Sequence, residues 1–500
     1  MDLLANLGLG FAVALTPWNL LFAFIGAMIG TLIGVLPGIG PIATIAMLLP
    51  LTFHLEPTAG LIMLAGIFYG AQYGGSTSAI LINLPGETSS VVTTLDGHQM
   101  AVQGRAGAAL AVAALASFFA GCVATALIAT FAPPLARLGQ SFGSPEYFSL
   151  MLLGLIAAVV LAHGSVIKAV AMIVLGLLLG LVGTDGNTGG QRFTFGLNEL
   201  ADGLDVATLA IGLFGISEII ANLANREAHR DVVTKRITRL WPTPDDFRRA
   251  WPAVLRGTSL GAVLGVLPGG GATLSAFAAY ALEKRVSDRP AMFGRGAVEG
   301  VAAPEAANNA GAQSSFIPML TLGIPGNPVM ALMIGALMIH GIQPGPQIMT
   351  DRPQMFWGMV ASMWIGNLML VIINLPLIGF WVQLLKVPYR FLYLAILMFC
   401  AIGVYSVNNS TAAVLIAALF GVAGFVFQRL ACEPAPLILG FVLGPLMEEN
   451  LRRALRVSGG DPTIFLTRPI SLGLLIAAAI LLLIVALPAI RSTREQAFQE

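Results

Sequence analysis

The chain has 500 residues, of which 57% are hydrophobic and only 10% charged, with a net charge of +1 and a mean hydropathy of +0.85. A soluble domain carries about 25% charged residues, so this composition excludes a globular protein with a polar coat and requires one that lives in a membrane. A transmembrane barrel is excluded as well, because barrel strands alternate apolar and polar residues over about ten positions and the apolar runs here do not alternate.

Taken in chain order, the first ten residues contain no Lys or Arg. A cleaved secretory signal begins with basic residues, so the first apolar run, Phe11–Leu36, is expected to be retained as a span of about 20 residues. The run ends in GVLPGIGPIAT, Gly34 to Thr44. Pro and Gly together end or unwind a helix, so a chain break is expected at Leu36-Pro37-Gly38. A polar cluster follows from Tyr69 to Ser90, with Ser76, Thr77, Ser78, Asn83 and Thr88, and it contains a second break at Leu84-Pro85-Gly86 with Glu87 directly after it.

Further spans are expected at Leu110–Phe131, around Ala207–Leu223 and at Ile470–Ile490, with His163 and Lys168 marking a loop between two shorter ones. Thr184–Asp205 carries four acids against Arg192 alone, whereas Arg226–Arg256 carries eight basic residues against four acids. Basic loops stay in the cytoplasm, which places Arg226–Arg256 inside and Thr184–Asp205 outside, with Glu218 near the cytoplasmic, interfacial end of the span between them. Walking backwards puts Lys168 inside, Pro133–Glu146 outside and His98–Arg105 inside. Glu448–Arg468 mixes signs and leaves the second half unassigned.

The second half repeats the first. GVLPGGGATLS, Gly265 to Ser275, brings Leu267-Pro268-Gly269, and a second polar cluster from Ala303 to Pro328 holds Glu305, Asn308, Asn309, Gln313, Ser314, Ser315 and Asn327 around Ile324-Pro325-Gly326. The two pairs of breaks are offset by 231 and 240 residues. The expected fold is therefore an all-α integral membrane protein of about a dozen transmembrane helices, in two repeated halves with helices interrupted at Leu-Pro-Gly. The expected units are residues 1–225 as the first repeat, 226–256 as a basic cytoplasmic linker, 257–425 as the second repeat and 426–500 as C-terminal membrane helices.

Irregular backbone at membrane depth survives where it is buried in protein or lines a water-filled cavity, and paired interruptions in two halves point to a transporter's binding site. Freed helix N-termini suit a carboxylate, and freed carbonyls suit a cation. In the first half the candidate substrate and ion site comprises Gly38, Gly75, Ser76, Thr77, Asn83, Pro85, Gly86 and Glu87. In the second half it comprises Gly269, Glu305, Asn308, Asn309, Ser314, Ser315, Pro325 and Gly326. The two second breaks are expected to face one another, with Ser76–Asn83 and Asn308–Ser315 around a single cavity and the carbonyls near Pro85 and Pro325 open to the cation. The same hydroxyls and amides could instead only pack helices, and Glu87 or Glu305 could lie at a loop mouth in water. Cys122, Cys400 and Cys432 have no metal-type spacing and are expected to pack. None of the four Lys follows a Gly, which excludes a phosphate-binding GxxxxGK[ST] loop, and there is no HExxH. No cofactor and no enzymatic activity are expected.

These segments resemble a known family. GVLPGIGP (Gly34–Pro41), YGGSTSAILINLPGE (Tyr73–Glu87), the run Asp96-Gly97-His98-Gln99-Met100 with Gly104, the stretch from Glu299 to Gly326 with its Asn308-Asn309-Ala310, and GIQPGP (Gly341–Pro346) are similar to the large membrane subunit of tripartite tricarboxylate transporters. The resemblance implies a bacterial inner-membrane permease that works with a small four-helix membrane subunit and a periplasmic solute-binding protein. It implies uptake of citrate or related di- and tricarboxylates, driven by a sodium or proton gradient, with no nucleic-acid partner. A stand-alone carboxylate or cation exchanger on the same scaffold is the alternative.

Overall fold

The structure is a computed structural model and describes residues 3–36, 40–161, 165–224, 240–267, 271–385 and 389–486. Among these, the chain is helical apart from loops and a two-stranded ribbon, β1 (Gly183–Thr184) and β2 (Gln191–Arg192). The first helices are α1 (Leu3–Ala14), α2 (Pro17–Val35), α3 (Pro41–Thr52), α4 (Pro57–Ile82), α5 (Ala106–Gln140), α6 (Ser144–Leu161) and α7 (Val166–Gly180). Next come α8 (Val206–Ala224), which contains a π-helical turn at Ile211–Ile216, α9 (Pro244–Val266), α10 (Gly271–Val286), α11 (Glu299–Ser314), α12 (Phe316–Leu322) and α13 (Pro328–Ile339). The last are α14 (Pro353–Asn374), α15 (Ile378–Leu384), α16 (Tyr389–Asn408), α17 (Thr411–Arg429), α18 (Ala435–Val457) and α19 (Pro469–Ala486).

Among the described residues five helices, α2, α5, α8, α14 and α17, are long and apolar enough to cross a membrane, and seven further apolar helices are shorter. The protein is thus an all-α, multi-pass membrane protein. The apolar run expected as a single span at Phe11–Leu36 is instead two helices. The Thr16 hydroxyl caps the second and Pro17 opens it, a pairing that favours a helix start over a continuation.

Two helices lie wholly inside. Every residue from Thr58 to Ile82 of α4 is buried, and so is every residue of α11. Each packs on a glycine seam. A methyl group on Gly26, Gly30 or Gly34 of α2 would stand 2.3, 2.5 or 2.3 Å from the carbonyl oxygens of Met63, Ile67 and Ala71 in α4. A methyl group on Gly257, Gly261 or Gly265 of α9 would stand 2.3 Å from those of Ala303, Ala307 and Gly311 in α11. Glycine at every fourth position presents one bare stripe along the helix, so two backbones touch directly.

The ends of these helices also correspond. Leu36 and Leu267 leave α2 and α9 in extended conformation. Asn83 and Gly323 turn α4 and α12 off in the left-handed region, at φ 57° and 71°. The proline two residues on in each case, Pro85 and Pro325, restricts the residue before it to extended backbone. Glu87 and Asn327 then open the next helical segment, at φ −150° and −155°.

The Asp96 motif ties the two buried layers together. Its Oδ1 accepts the backbone N–H groups of Gly296 and Ala297, both at 2.8 Å, just ahead of α11, and its Oδ2 accepts from the Tyr280 hydroxyl at 2.9 Å.

Ion pairs gather at two rims. At one, Arg105 meets Asp246 at 2.5 Å, Arg249 meets Glu299 at 2.8 Å and Arg256 meets Glu283 at 2.5 Å. At the other, Asp185 meets Arg452 at 3.1 Å and Arg192 meets Glu448 at 2.9 Å. The N–H of Asn187 and the Thr188 hydroxyl, with Arg452 and Arg192 beyond them, hold the Asp185 carboxyl down at about 2. The first part of the mixed-sign stretch Glu448–Arg468 therefore sits with the acidic 184–205 loop. α9 starts at Pro244 behind a Thr243–Asp246 capping box and runs unbroken past Arg256, so the last part of the basic stretch packs with α11. Residues 226–239 of the expected linker lie outside the described residues.

Candidate functional site

The interrupted segments meet at one cavity of about 470 Å³. Its wall takes Gly40, Pro41, Ile42 and Ala43 from the start of α3, and Pro85 to Ser89 from the second break of the first half. It takes Gly271, Ala272 and Thr273 from the start of α10, and Asn327, Pro328 and Val329 from the start of α13. Phe68 and Gln72 of α4, Val91, Ala158 of α6, Phe214 and Glu218 of α8, and the segment from Glu433 to Pro436 with Leu439 of α18 complete it among the described residues. Phe214 belongs to the π-helical turn of α8, a local irregularity that commonly marks functional sites.

Four helix N-termini therefore border the cavity. No side chain caps α3 at Gly40 or α18 at Pro434; Pro41 and Pro436 bring no N–H, and the N–H groups of Ile42 and Ala43 in α3 and of Ala435 in α18 lack a capping side chain. In α13 the Asn327 side chain accepts the Met330 N–H at 3.0 Å. The segments that follow one break of each half touch: Thr88 Oγ1 and Thr273 Oγ1 are 3.0 Å apart. Among the described residues the charged groups on this wall are three carboxylates, Glu87, Glu218 and Glu433, and no basic side chain. Attraction for an anion rests on helix dipoles and N–H groups, while the carboxylates suit a cation.

Glu87 is held by its neighbours. Ser89 donates to its Oε1 and lies 2.6 Å from Gln72 Oε1, while Ser90 Oγ accepts the Glu87 N–H at 3.4 Å. Gly75 makes room beneath it, since a methyl group there would stand 2.9 Å from Glu87 Cγ.

A second polar assembly lies between α4, α5 and α11. Glu305 is fully buried. Its Oε2 accepts from Ser76 Oγ at 2.6 Å and from Ser117 Oγ at 3.4 Å, and Thr93 donates to its Oε1. Asn309 Nδ2 donates to Ser117 Oγ at 2.8 Å, to the Glu305 carbonyl at 3.1 Å and to Asn308 Oδ1 at 2.6 Å.

The sequence-derived candidates thus divide between places. Pro85, Gly86 and Glu87 line the large cavity, with Gly75 behind them; Pro325 and Gly326 are buried immediately before Asn327. Ser76, Glu305, Asn308 and Asn309 form the buried assembly. Thr77 borders a much smaller cavity. Ser314 and Ser315 return their hydroxyls to the Gly311 and Ala312 carbonyls of their own helix, at 3.4 and 2.6 Å. Asn83 is an exposed left-handed cap. Gly38 and Gly269 lie outside the described residues. The large cavity is therefore not the one expected around Ser76–Asn83 and Asn308–Ser315: most of those side chains are buried between helices, Asn83 is exposed, and the large wall is formed by Pro85–Ser89 and by the segments that follow the other breaks. Gln72, Glu218, Thr273 and Glu433 were not singled out for the site. Gln72 was legible as the residue one turn before Ser76, whereas Glu218 and Glu433 reach the cavity only through tertiary packing.

The family model described as "Tripartite tricarboxylate transporter TctA family" matches residues 20–439. An uncharacterized 52.8 kDa protein in the TAR-I ttuC′ 3′ region of Agrobacterium vitis is 59% identical over the whole of this chain and 99% of its own length. An uncharacterized protein in the TAR-II ttuC′ 3′ region of the same organism is 58% identical over 48% of this chain and 99% of its own length. No solved structure matches the chain.

Proposed function

This chain belongs to the tripartite tricarboxylate transporter TctA family, and we propose that it is the permease that carries citrate or a related di- or tricarboxylate across the bacterial inner membrane, with the cavity of about 470 Å³ as the place where the substrate is held. The observation that carries this reading is the meeting of four interrupted segments, two from each half, at one cavity. Its volume lies in the ordinary range for small-molecule sites, about 300–1,000 Å³.

The matched glycine seams and helix ends, repeated at offsets of 231 and 240 residues, support a duplicated architecture in which each half contributes one wall. Uncapped helix N-termini receive the carboxylates. A bare polyanion beside Glu87, Glu218 and Glu433 is repelled, so the substrate enters with cations or protons that offset its charge, which ties uptake to an ion gradient. A wall on which the described residues include no basic side chain makes a poor high-affinity trap, so capture falls to a soluble periplasmic binding protein, with the small four-helix membrane subunit completing the permease.

Reconstitution in proteoliposomes with and without these two partners tests the reading. The expected result is accumulation of citrate or a close relative under an imposed sodium or proton gradient, only when both partners are present. Robust uptake by this chain alone supports the stand-alone exchanger. Absence of uptake for every carboxylate in a panel, with all three components folded, overturns the assignment.

A further inference from the structure

Glu305 raises a question of charge that the large cavity does not answer. It is fully buried in α11, and among the described residues no Lys, Arg or His pairs with it. An ionised carboxylate without a counter-charge is expensive in a membrane interior. Its hydrogen-bond partners are hydroxyls, Ser76 and Ser117 on Oε2 and Thr93 on Oε1. A hydroxyl that gives its proton to a carboxylate can still accept: Ser76 Oγ keeps its lone pairs, and Ser117 Oγ, which accepts from Asn309 Nδ2 at 2.8 Å, keeps one.

Ser76 and Ser117 both also line a second cavity, of about 10 Å³, which is room for one water-sized body. The other polar residues on its wall are Tyr73, Thr77 and Asn374. Two oxygens among them, Tyr73 Oη and Asn374 Oδ1, are buried and make no hydrogen bond. The Asn374 amide is oriented by its nitrogen, which donates to the Leu370 carbonyl at 2.9 Å and to Thr31 Oγ1 at 3.3 Å, leaving Oδ1 as the free end. Among the described residues the wall thus supplies hydroxyl and amide oxygens, no His or Cys, and one carboxylate a single hydrogen bond away. Hard cations take oxygen ligands. One negative charge balances one positive charge, so a monovalent ion leaves the interior neutral where a divalent ion does not.

We propose that this small cavity binds one sodium ion, held by oxygens of Tyr73, Ser76, Ser117 and Asn374 and balanced by the Glu305 carboxylate. The proposal deepens the permease reading and rests on it for its consequence. Ser76 lies one turn from Gln72 and next to Gly75, which seats Glu87, so an ion here bears on the wall of the large cavity through α4. Binding of the ion itself needs no substrate and is tested without one.

The test is the thermal unfolding midpoint of the purified full chain in detergent, over a sodium series at constant ionic strength with choline as the replacement. A ligand that binds the folded state raises the midpoint by mass action. The wild-type midpoint is expected to climb with sodium and to respond less to potassium. Asn374→Leu removes an oxygen and fills space, and is expected to raise the half-saturating sodium concentration by about tenfold or more. Glu305→Gln is expected to abolish the sodium response while matching or exceeding the wild-type midpoint in choline, because the uncompensated charge is gone; a merely structural glutamate would lower the midpoint at every sodium concentration. A wild-type midpoint indifferent to sodium overturns the proposal, as does a response that both variants keep unchanged. If Glu305→Gln does not accumulate, Asn374→Leu decides alone. Carboxylate uptake that persists without a sodium response removes this site and leaves the permease reading intact; a sodium response without carboxylate uptake does the reverse.

Discussion

Gly34→Ala and Gly261→Ala each are expected to lower the stability of the folded chain by several kcal/mol and to deplete it from the membrane. In an exposed helix the same change stabilises by about 1 kcal/mol, because glycine is a poor helix former. Here the added methyl would stand 2.3 Å from a backbone oxygen, of Ala71 in one case and Ala307 in the other. Backbone oxygens cannot turn aside as a side-chain tip can, so the two helices must separate along the whole seam. Overpacking a core costs about 1–3 kcal/mol even where side chains can adjust, and that exceeds the propensity gain. Gly8→Ala is the control, since nothing lies within 4 Å of its added methyl; it is expected to be neutral or slightly stabilising. Folded protein per cell and the thermal midpoint in detergent measure both. Accumulation of both seam variants at the control's level would contradict the direct backbone contact.

Thr273→Trp is expected to reduce uptake to background while leaving the fold in place. Thr273 stands in the first turn of α10, partly exposed to the large cavity and 3.0 Å from Thr88 across it. An indole there fills space that the substrate needs, and it does so without entering the packed seams. Replacements away from core packing usually shift stability by about 0.5 kcal/mol or less, so the thermal midpoint should barely move. Thr273→Ser keeps the hydroxyl and the space and should transport normally. Uptake normalised to folded protein separates an obstructed cavity from a lost protein. Normal transport per molecule by Thr273→Trp would remove the cavity from the substrate's path.

Much of this architecture is legible in the residues. Composition places the chain in a membrane, and the Leu-Pro-Gly segments mark where helices stop because proline and glycine together act locally through backbone sterics, whereas single prolines such as Pro304 of α11 lie inside helices. The family resemblance rests on the same segments. The glycine stripes at 26, 30, 34 and 257, 261, 265 were equally visible at four-residue spacing, yet only the structure gives them partners.

Local chemistry misleads in other places. Phe11–Leu36 reads as one apolar run because hydropathy does not register that Thr16-Pro17 is a better start than a middle. Asn308 and Asn309 read as cavity lining because small polar residues look alike whether they face a ligand or another helix. Their inward packing around Glu305 depends on α5, which supplies Ser117 from far away in the chain. Glu218 and Glu433 reach the cavity wall through the packing of α8 and of the segment before α18, and nothing in their neighbours announces it.

If the cavity holds the substrate as proposed, the segments on either side of it must separate to release it. A disulfide between Thr88→Cys and Thr273→Cys tests this most directly, because the two hydroxyl oxygens are 3.0 Å apart and side-chain atoms so close can reach the S–S bond of about 2.05 Å. With Cys122, Cys400 and Cys432 replaced by Ala, the oxidised protein in proteoliposomes with its partners is expected to stop carboxylate uptake, and reduction is expected to restore it. A cross-link that forms quantitatively while uptake continues at the reduced protein's rate would contradict the account.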